Sequence, residues 1–155
     1  MTKDDLDAVS EKIIGAAYKV SNTLGSGFLE KVYENALTHQ LRKDGMKIEQ
    51  QRPIKVYYDD VVVGEYFPDL IVVGAVIVEL KAAKRLEDIH LAQTLNYLKA
   101  TGLKLGLILN FGKPRVEIQR VANNFRLQMD ADERGEANNR SACICVYLRL
   151  IFCCL

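Results

Sequence analysis

Three charged side chains stand inside an otherwise apolar stretch: Asp69, Glu79 and Lys81 in YFPDLIVVGAVIVELK, residues 66–81. Ionised groups in an apolar strand are costly unless they are paired or bound to a metal, so their presence needs a chemical reason. Strand alternation sends Glu79 and Lys81 to one face and Val78 and Leu80 to the other. Asp69 joins the first face only if the turn around Gly74 is odd. A three-residue loop sets Asp69 opposite Glu79; a two-residue loop sets it opposite Leu80 and points it away. With the odd loop, two carboxylates and an ammonium converge. Two carboxylates suit a hard divalent ion such as Mg²⁺, with Mn²⁺ as a substitute; such an ion keeps several waters and favours phosphate-bearing substrates. The neighbouring ammonium can hold or help deprotonate an attacking water and offset charge on the phosphate.

The elements that must position these groups can be read along the chain. Leu6, Val9, Ile13, Ala16, Ala17 and Val20 recur at spacings of three and four, which predicts an amphipathic helix from Asp4 to about Leu24. Gly25-Ser26-Gly27 breaks it and opens a second helix, roughly Phe28 to Lys43, ended by Asp44-Gly45. On that helix Glu30, Tyr33, Glu34, Leu37 and Leu41 share one broad side, and Glu30 falls in the first turn, where a carboxylate also suits the helix dipole. Met46–Tyr58 reads as a strand with an edge or bulge at Pro53, Asp59-Asp60 as a turn, and Val61–Tyr66 as the next strand, leading into the charged hairpin as one antiparallel sheet. Arg85–Thr101 is helical, closed by Gly102, with Leu91, Leu95 and Leu98 on one stripe and His90, Gln93 and Tyr97 on another. The apolar run Leu103–Phe111 reads as a buried strand reached by a right-handed crossover and parallel to the Glu79 strand; Arg115–Val121 reads as a further edge strand.

Pro68-Asp69 followed by Glu79-Leu80-Lys81 resembles the PD-(D/E)xK signature of restriction-endonuclease-like nucleases. Gly27-x-x-Glu30-x-x-Tyr33, continuing into Glu34-Asn35-Ala36-Leu37, is similar to the pattern that names the GxxExxY family of that superfamily. Gln93-x-x-x-Tyr97 resembles the Q-x-x-x-Y element of its RecB-like and Cas4-like branch. The resemblance covers roughly residues 5–124. It implies an α/β fold with a restriction-endonuclease-like core, a central mixed β-sheet flanked by helices in α-β-β-β-α-β order. It also implies a metal held by Asp69, Glu79, the Leu80 carbonyl and Glu30, with Lys81 orienting the attacking water. Gln93 then supports the water or the lysine, and Tyr97 completes its element. Tyr33 is expected to pack its helix against the sheet.

At 155 residues and 49% hydrophobic, the chain accommodates one catalytic core and no separate recognition domain. The domain is placed at 1–126, followed at 127–155 by a polar linker and an apolar, Cys-containing tail of unknown role. The net charge of +1 excludes a uniformly basic coat, but residues 80–126 carry 9 Lys/Arg against 3 Asp/Glu, a local surface suited to phosphates. The expected partner is therefore nucleic acid, DNA ahead of RNA, with a protein partner or homodimer as a further option and no membrane. The tail is shorter than a spanning helix and is interrupted by Arg149. Its cysteines, Cys143, Cys145, Cys153 and Cys154, have neither zinc spacing nor a nearby histidine. The acidic N-terminus lacks a signal-like apolar core, so a cytoplasmic location is expected. The reading is a Mg²⁺-dependent nuclease; the alternative is a catalytically silent nucleic-acid- or protein-binding module on the same fold.

Overall fold

A computed structural model of the chain describes residues 1–123. The polar stretch and apolar tail assigned to 127–155 lie outside the described residues. The elements run α1 (Lys3–Leu24), α2 (Glu30–Lys43), β1 (Ile48–Gln50), β2 (Ile54–Tyr58), β3 (Val61–Tyr66), β4 (Leu70–Val72), β5 (Val76–Lys81), α3 (Asp88–Thr101), β6 (Leu105–Asn110) and β7 (Glu117–Ala122).

Five strands form one sheet in the order β1-β4-β5-β6-β7. The β5–β6 pair is parallel, as the intervening helix requires, and the other three pairs are antiparallel. This is the α/β architecture with a mixed sheet between helices that the sequence implies. Alternation divides the strands between two cores. Leu70, Val72, Val76, Val78, Leu80, Leu107 and Leu109 meet Ile13, Ala17, Tyr33, Leu37 and Leu41 of α1 and α2 on one face. Ile71, Ile77, Ile108 and Val121 meet Tyr97 and Leu98 of α3, and Ile54 of β2, on the other. The runs in β5 and β6 are buried on both faces, which is why they read as continuous apolar stretches rather than alternating ones.

Two sequence expectations are corrected. Met46–Tyr58 is not one strand: it breaks at Gln51–Pro53, because Gln51 takes a left-handed backbone (φ 52°) and Pro53 has no N–H for a ladder. Nor do β2 and β3 continue the main sheet. They pair only with each other, as a separate ribbon closed by Asp59 and Asp60 at positive φ, the geometry of a tight hairpin turn. Helix starts also shift. Leu29 stays extended as the N-cap of α2, leaving Phe28 outside the helix. The third helix begins at Asp88, after a reciprocal cap in which the Glu87 N–H donates to His90 Nδ1 at 3.1 Å. Among the described residues no helix is long and apolar enough to cross a membrane.

Candidate active site

The turn between β4 and β5 settles where Asp69 faces. Val73 and Gly74 both have positive φ (54° and 64°), and pairing resumes at Val72 with Val76. The loop therefore holds three residues, and the register Leu70↔Val78 carries on to place Asp69 across from Glu79. Asp69 lies just beyond the end of β4, where its carboxylate replaces a strand partner: Oδ2 accepts the Leu80 N–H at 2.8 Å. The Lys81 carbonyl accepts Phe111 N–H at 2.7 Å on the β6 side of the strand. Because peptide groups alternate between the edges of a strand, the Leu80 carbonyl then faces the opposite edge, the one that Asp69 occupies.

Glu79 is buried on the α3 side, and its Oε2 receives Lys81 Nζ at 3.3 Å. Its second oxygen, Oε1, is buried with no hydrogen-bond partner. Burial, and then the charge of Asp69, push the Glu79 carboxyl up to about 7, with Lys81 acting in the opposite direction. Burial also raises Asp69, aided by the nearby Glu34 and opposed by the Leu80 N–H and Lys81. Tyr97 closes this face. Its hydroxyl accepts Gln93 Nε2 at 2.6 Å, its ring tilts against Tyr66 at 5.3 Å, and burial followed by the charge of Glu79 raises its pKa, keeping the phenol protonated.

The family model for the PD-(D/E)XK nuclease superfamily matches residues 7–121, from α1 into β7. The chain belongs to that superfamily. Among solved structures, an alkaline exonuclease from Laribacter hongkongensis is similar, at 11% identity over 76% of this chain and 81% of that one, with a TM-score of 0.43. No curated protein matches.

In this PD-(D/E)XK domain, Asp69, Glu79, Lys81 and the Leu80 backbone come together, with Tyr97 close enough to feel both carboxylates and Gln93 bonded to Tyr97. Glu30 is not brought to the two carboxylates. It is exposed at the start of α2, with Oε1 taking the Ala82 N–H at 3.1 Å. The carboxylate that α2 does deliver toward Asp69 is Glu34, one turn further along the same face. Glu34 is buried and accepts Lys31 Nζ at 2.7 Å and Gln50 Nε2 at 2.6 Å. Gln51 Nε2 links Glu34 Oε2 (3.2 Å) to Asp69 Oδ1 (3.1 Å), while the Gln51 N–H donates to the Asp69 carbonyl at 3.0 Å. Sequence reasoning missed Glu34 and Gln51 as site residues; the usable signal was a buried-face Glu in α2 followed by a polar pair, Gln50-Gln51, just ahead of Arg52-Pro53.

Three carboxylates (Glu34, Asp69, Glu79) thus share two ammonium groups (Lys31, Lys81) in a largely buried cluster. Excess negative charge and an unpartnered Glu79 oxygen fit a cation. Among the described residues, no three Asp, Glu, His or Cys side chains converge closely enough to ligate one ion. A hard divalent ion that takes two carboxylates and fills its other positions with a carbonyl and waters suits this donor set.

Proposed function

We propose that this chain is a divalent-metal-dependent nuclease, hydrolysing phosphodiester bonds of DNA ahead of RNA, and that it is a cytoplasmic member of the GxxExxY group. The observation that carries the reading is the unpartnered buried oxygen of Glu79, in a carboxylate already facing Asp69 and bonded to Lys81. Asp69, Glu79 and the Leu80 carbonyl would hold Mg²⁺ or Mn²⁺. When bound, such an ion lowers the pKa of water and neutralises charge developing on the phosphate. The protein's own part is positioning. Leu80 N–H and Gln51 fix both oxygens of Asp69, Glu79 aligns Lys81, and Lys81 donates to the attacking water and the phosphate oxygen. Gln93, anchored on Tyr97, would supply a further polar group on the α3 side of the site.

The test is incubation of end-labelled single- and double-stranded DNA and RNA with the protein in Mg²⁺, in Mn²⁺ and in chelator. Metal-dependent shortening of at least one substrate is expected. Intact substrates throughout, together with no calorimetric heat on Mg²⁺ addition, would instead make the chain a silent binding module.

Gln51 gives a sharper check on the positioning. Glycine accepts the left-handed backbone without strain, so Gln51→Gly keeps the N–H bond to the Asp69 carbonyl and removes only the amide side chain. Mg²⁺ affinity is expected to weaken about tenfold or more, the usual effect of losing a group that orients a ligand. A calorimetric titration reads it, with thermal midpoints establishing that the fold is intact. Unchanged affinity would mean that Leu80 N–H alone holds Asp69.

A further inference from the structure

A cavity of about 590 Å³ opens between the start of α2 and the loops that follow β5 and β6, lined by Phe28, Leu29, Glu30 and Lys31 on one side and Ala82 and Gly112 on the other. Its walls are fixed. The Tyr33 hydroxyl donates to the Gly25 carbonyl at 2.9 Å and accepts the Phe28 N–H at 3.2 Å, while its ring stacks on Phe111 at 4.5 Å. Glu30 ties α2 to Ala82. Fully buried Asn110 accepts the N–H groups of Ala83 and Gly112, both at 3.0 Å, clamping the two loops together. They touch so closely that a Cβ at Gly112 would lie 2.2 Å from the Ala83 carbonyl oxygen. Yet this pinned rim presents Phe28 and Leu29 to solvent, 49% and 79% exposed. A rigid loop holding apolar side chains outward suits a ligand rather than a core.

We infer that this cavity receives an unpaired nucleotide of the substrate strand, an assignment that rests on the nuclease reading of the adjoining site. Two features of the rim and one of the adjoining loop match one ligand. Phe28 and Leu29 offer an apolar surface to the face of a base. Glu30 keeps Oε2 for an exocyclic amine or a sugar hydroxyl, since Ala82 takes Oε1. Lys84 and Arg85, exposed on the loop beyond Ala82, suit the backbone phosphates. A paired base hides its faces in the stack, and a second copy of this chain would bring its own basic loops against these. The location also fits. Ala82 follows Lys81 directly, and Lys31 of the same rim bonds Glu34, which shares Gln51 with Asp69.

Fluorescence anisotropy of labelled single-stranded DNA, single-stranded RNA and blunt duplex DNA, in Ca²⁺ buffer, tests this on the full chain. Wild type is expected to bind a single strand more tightly than the duplex. Phe28→Ala should weaken single-strand binding about tenfold, as loss of one base-stacking group does. Leu29→Glu, adding negative charge at an exposed position, should weaken it similarly with its thermal midpoint unchanged, while Phe28→Ala, which also gives up an edge contact with Tyr33, stays cooperatively folded at the assay temperature. Wild-type affinity in both variants, preference for the duplex, or a dimer that the variants dissociate would overturn the assignment. Cleavage by wild type is scored separately. If wild type cuts and the variants bind normally, the cavity assignment falls and the nuclease reading stands. If the variants lose binding and wild type cuts nothing, the reverse holds.

Discussion

Lys81→Met is expected to lower the cleavage rate a hundredfold or more, the scale of effect seen when one preorganised charge at a reacting centre is removed. Methionine has similar length and no charge, so packing around this partly buried side chain is kept. Lys81 acts in two ways that the variant can separate. In the proposed mechanism it faces the phosphate and attacking water, and it also holds down the pKa of Glu79, to which it is bonded at 3.3 Å. Without it, Glu79 protonates at still higher pH, so Mg²⁺ binding by the variant should require more alkaline solution than in wild type. Single-turnover rates and calorimetric Mg²⁺ titrations across pH 6–9 resolve the two roles. Metal binding should recover as pH rises while the rate does not. Full recovery of the rate at alkaline pH would show that Lys81 works only through the charge state of Glu79, and its role toward the phosphate would be abandoned.

The charged strand was legible because its pattern is local. Charges in β5 stand out against valine and isoleucine, and period-two alternation fixes the face that Glu79 and Lys81 share. What local pattern left open was the parity of one turn. Val73 accepting a positive φ beside Gly74 made that loop odd, which β-propensity alone would not favour for a β-branched residue. The contribution of α2 was left open for a different reason. Glu30 and Glu34 lie on the same helix face, and sequence spacing cannot say which turn of a helix lies nearest the end of β4. That depends on how α2 docks through Tyr33, Leu37 and Leu41. Gln51 was invisible because its role comes from a backbone kink between β1 and β2, in a stretch that reads as continuous strand. That β2 and β3 stand apart from the main sheet escaped notice because their β-branched residues suit a sheet of any kind; Val61, Val62 and Val63 are all exposed, so the pattern carried no core face to follow.

Metal-free protein should lose stability as pH rises from about 5 to 8, and Mg²⁺ should restore it. The sign follows from proton binding. Glu79 titrates near 7 in the fold against an ordinary value of 4.5, so between those values the native state binds more protons than the unfolded chain. Stability from this group is then fully present below the ordinary value and is lost as pH rises through about 7. A displacement of this size corresponds to roughly 3 kcal/mol, and Asp69, shifted in the same direction, adds to it. Mg²⁺ binds the native site and not the unfolded chain, so it stabilises in proportion to the logarithm of its concentration above Kd. Binding near pH 6.5 should also release protons, because the ligand form of Glu79 is the carboxylate. Denaturant titrations at pH 5 and 8, with and without Mg²⁺, measure both effects. Glu79→Gln should flatten the pH dependence, make the metal-free protein more stable at pH 8 than wild type, and abolish the Mg²⁺ increment. A wild-type protein equally stable at both pH values would mean that Glu79 is not held near neutrality by its buried position. A Mg²⁺ increment surviving in Glu79→Gln would move the ion elsewhere, with Glu34 and Asp69, linked through Gln51, the next pair to substitute.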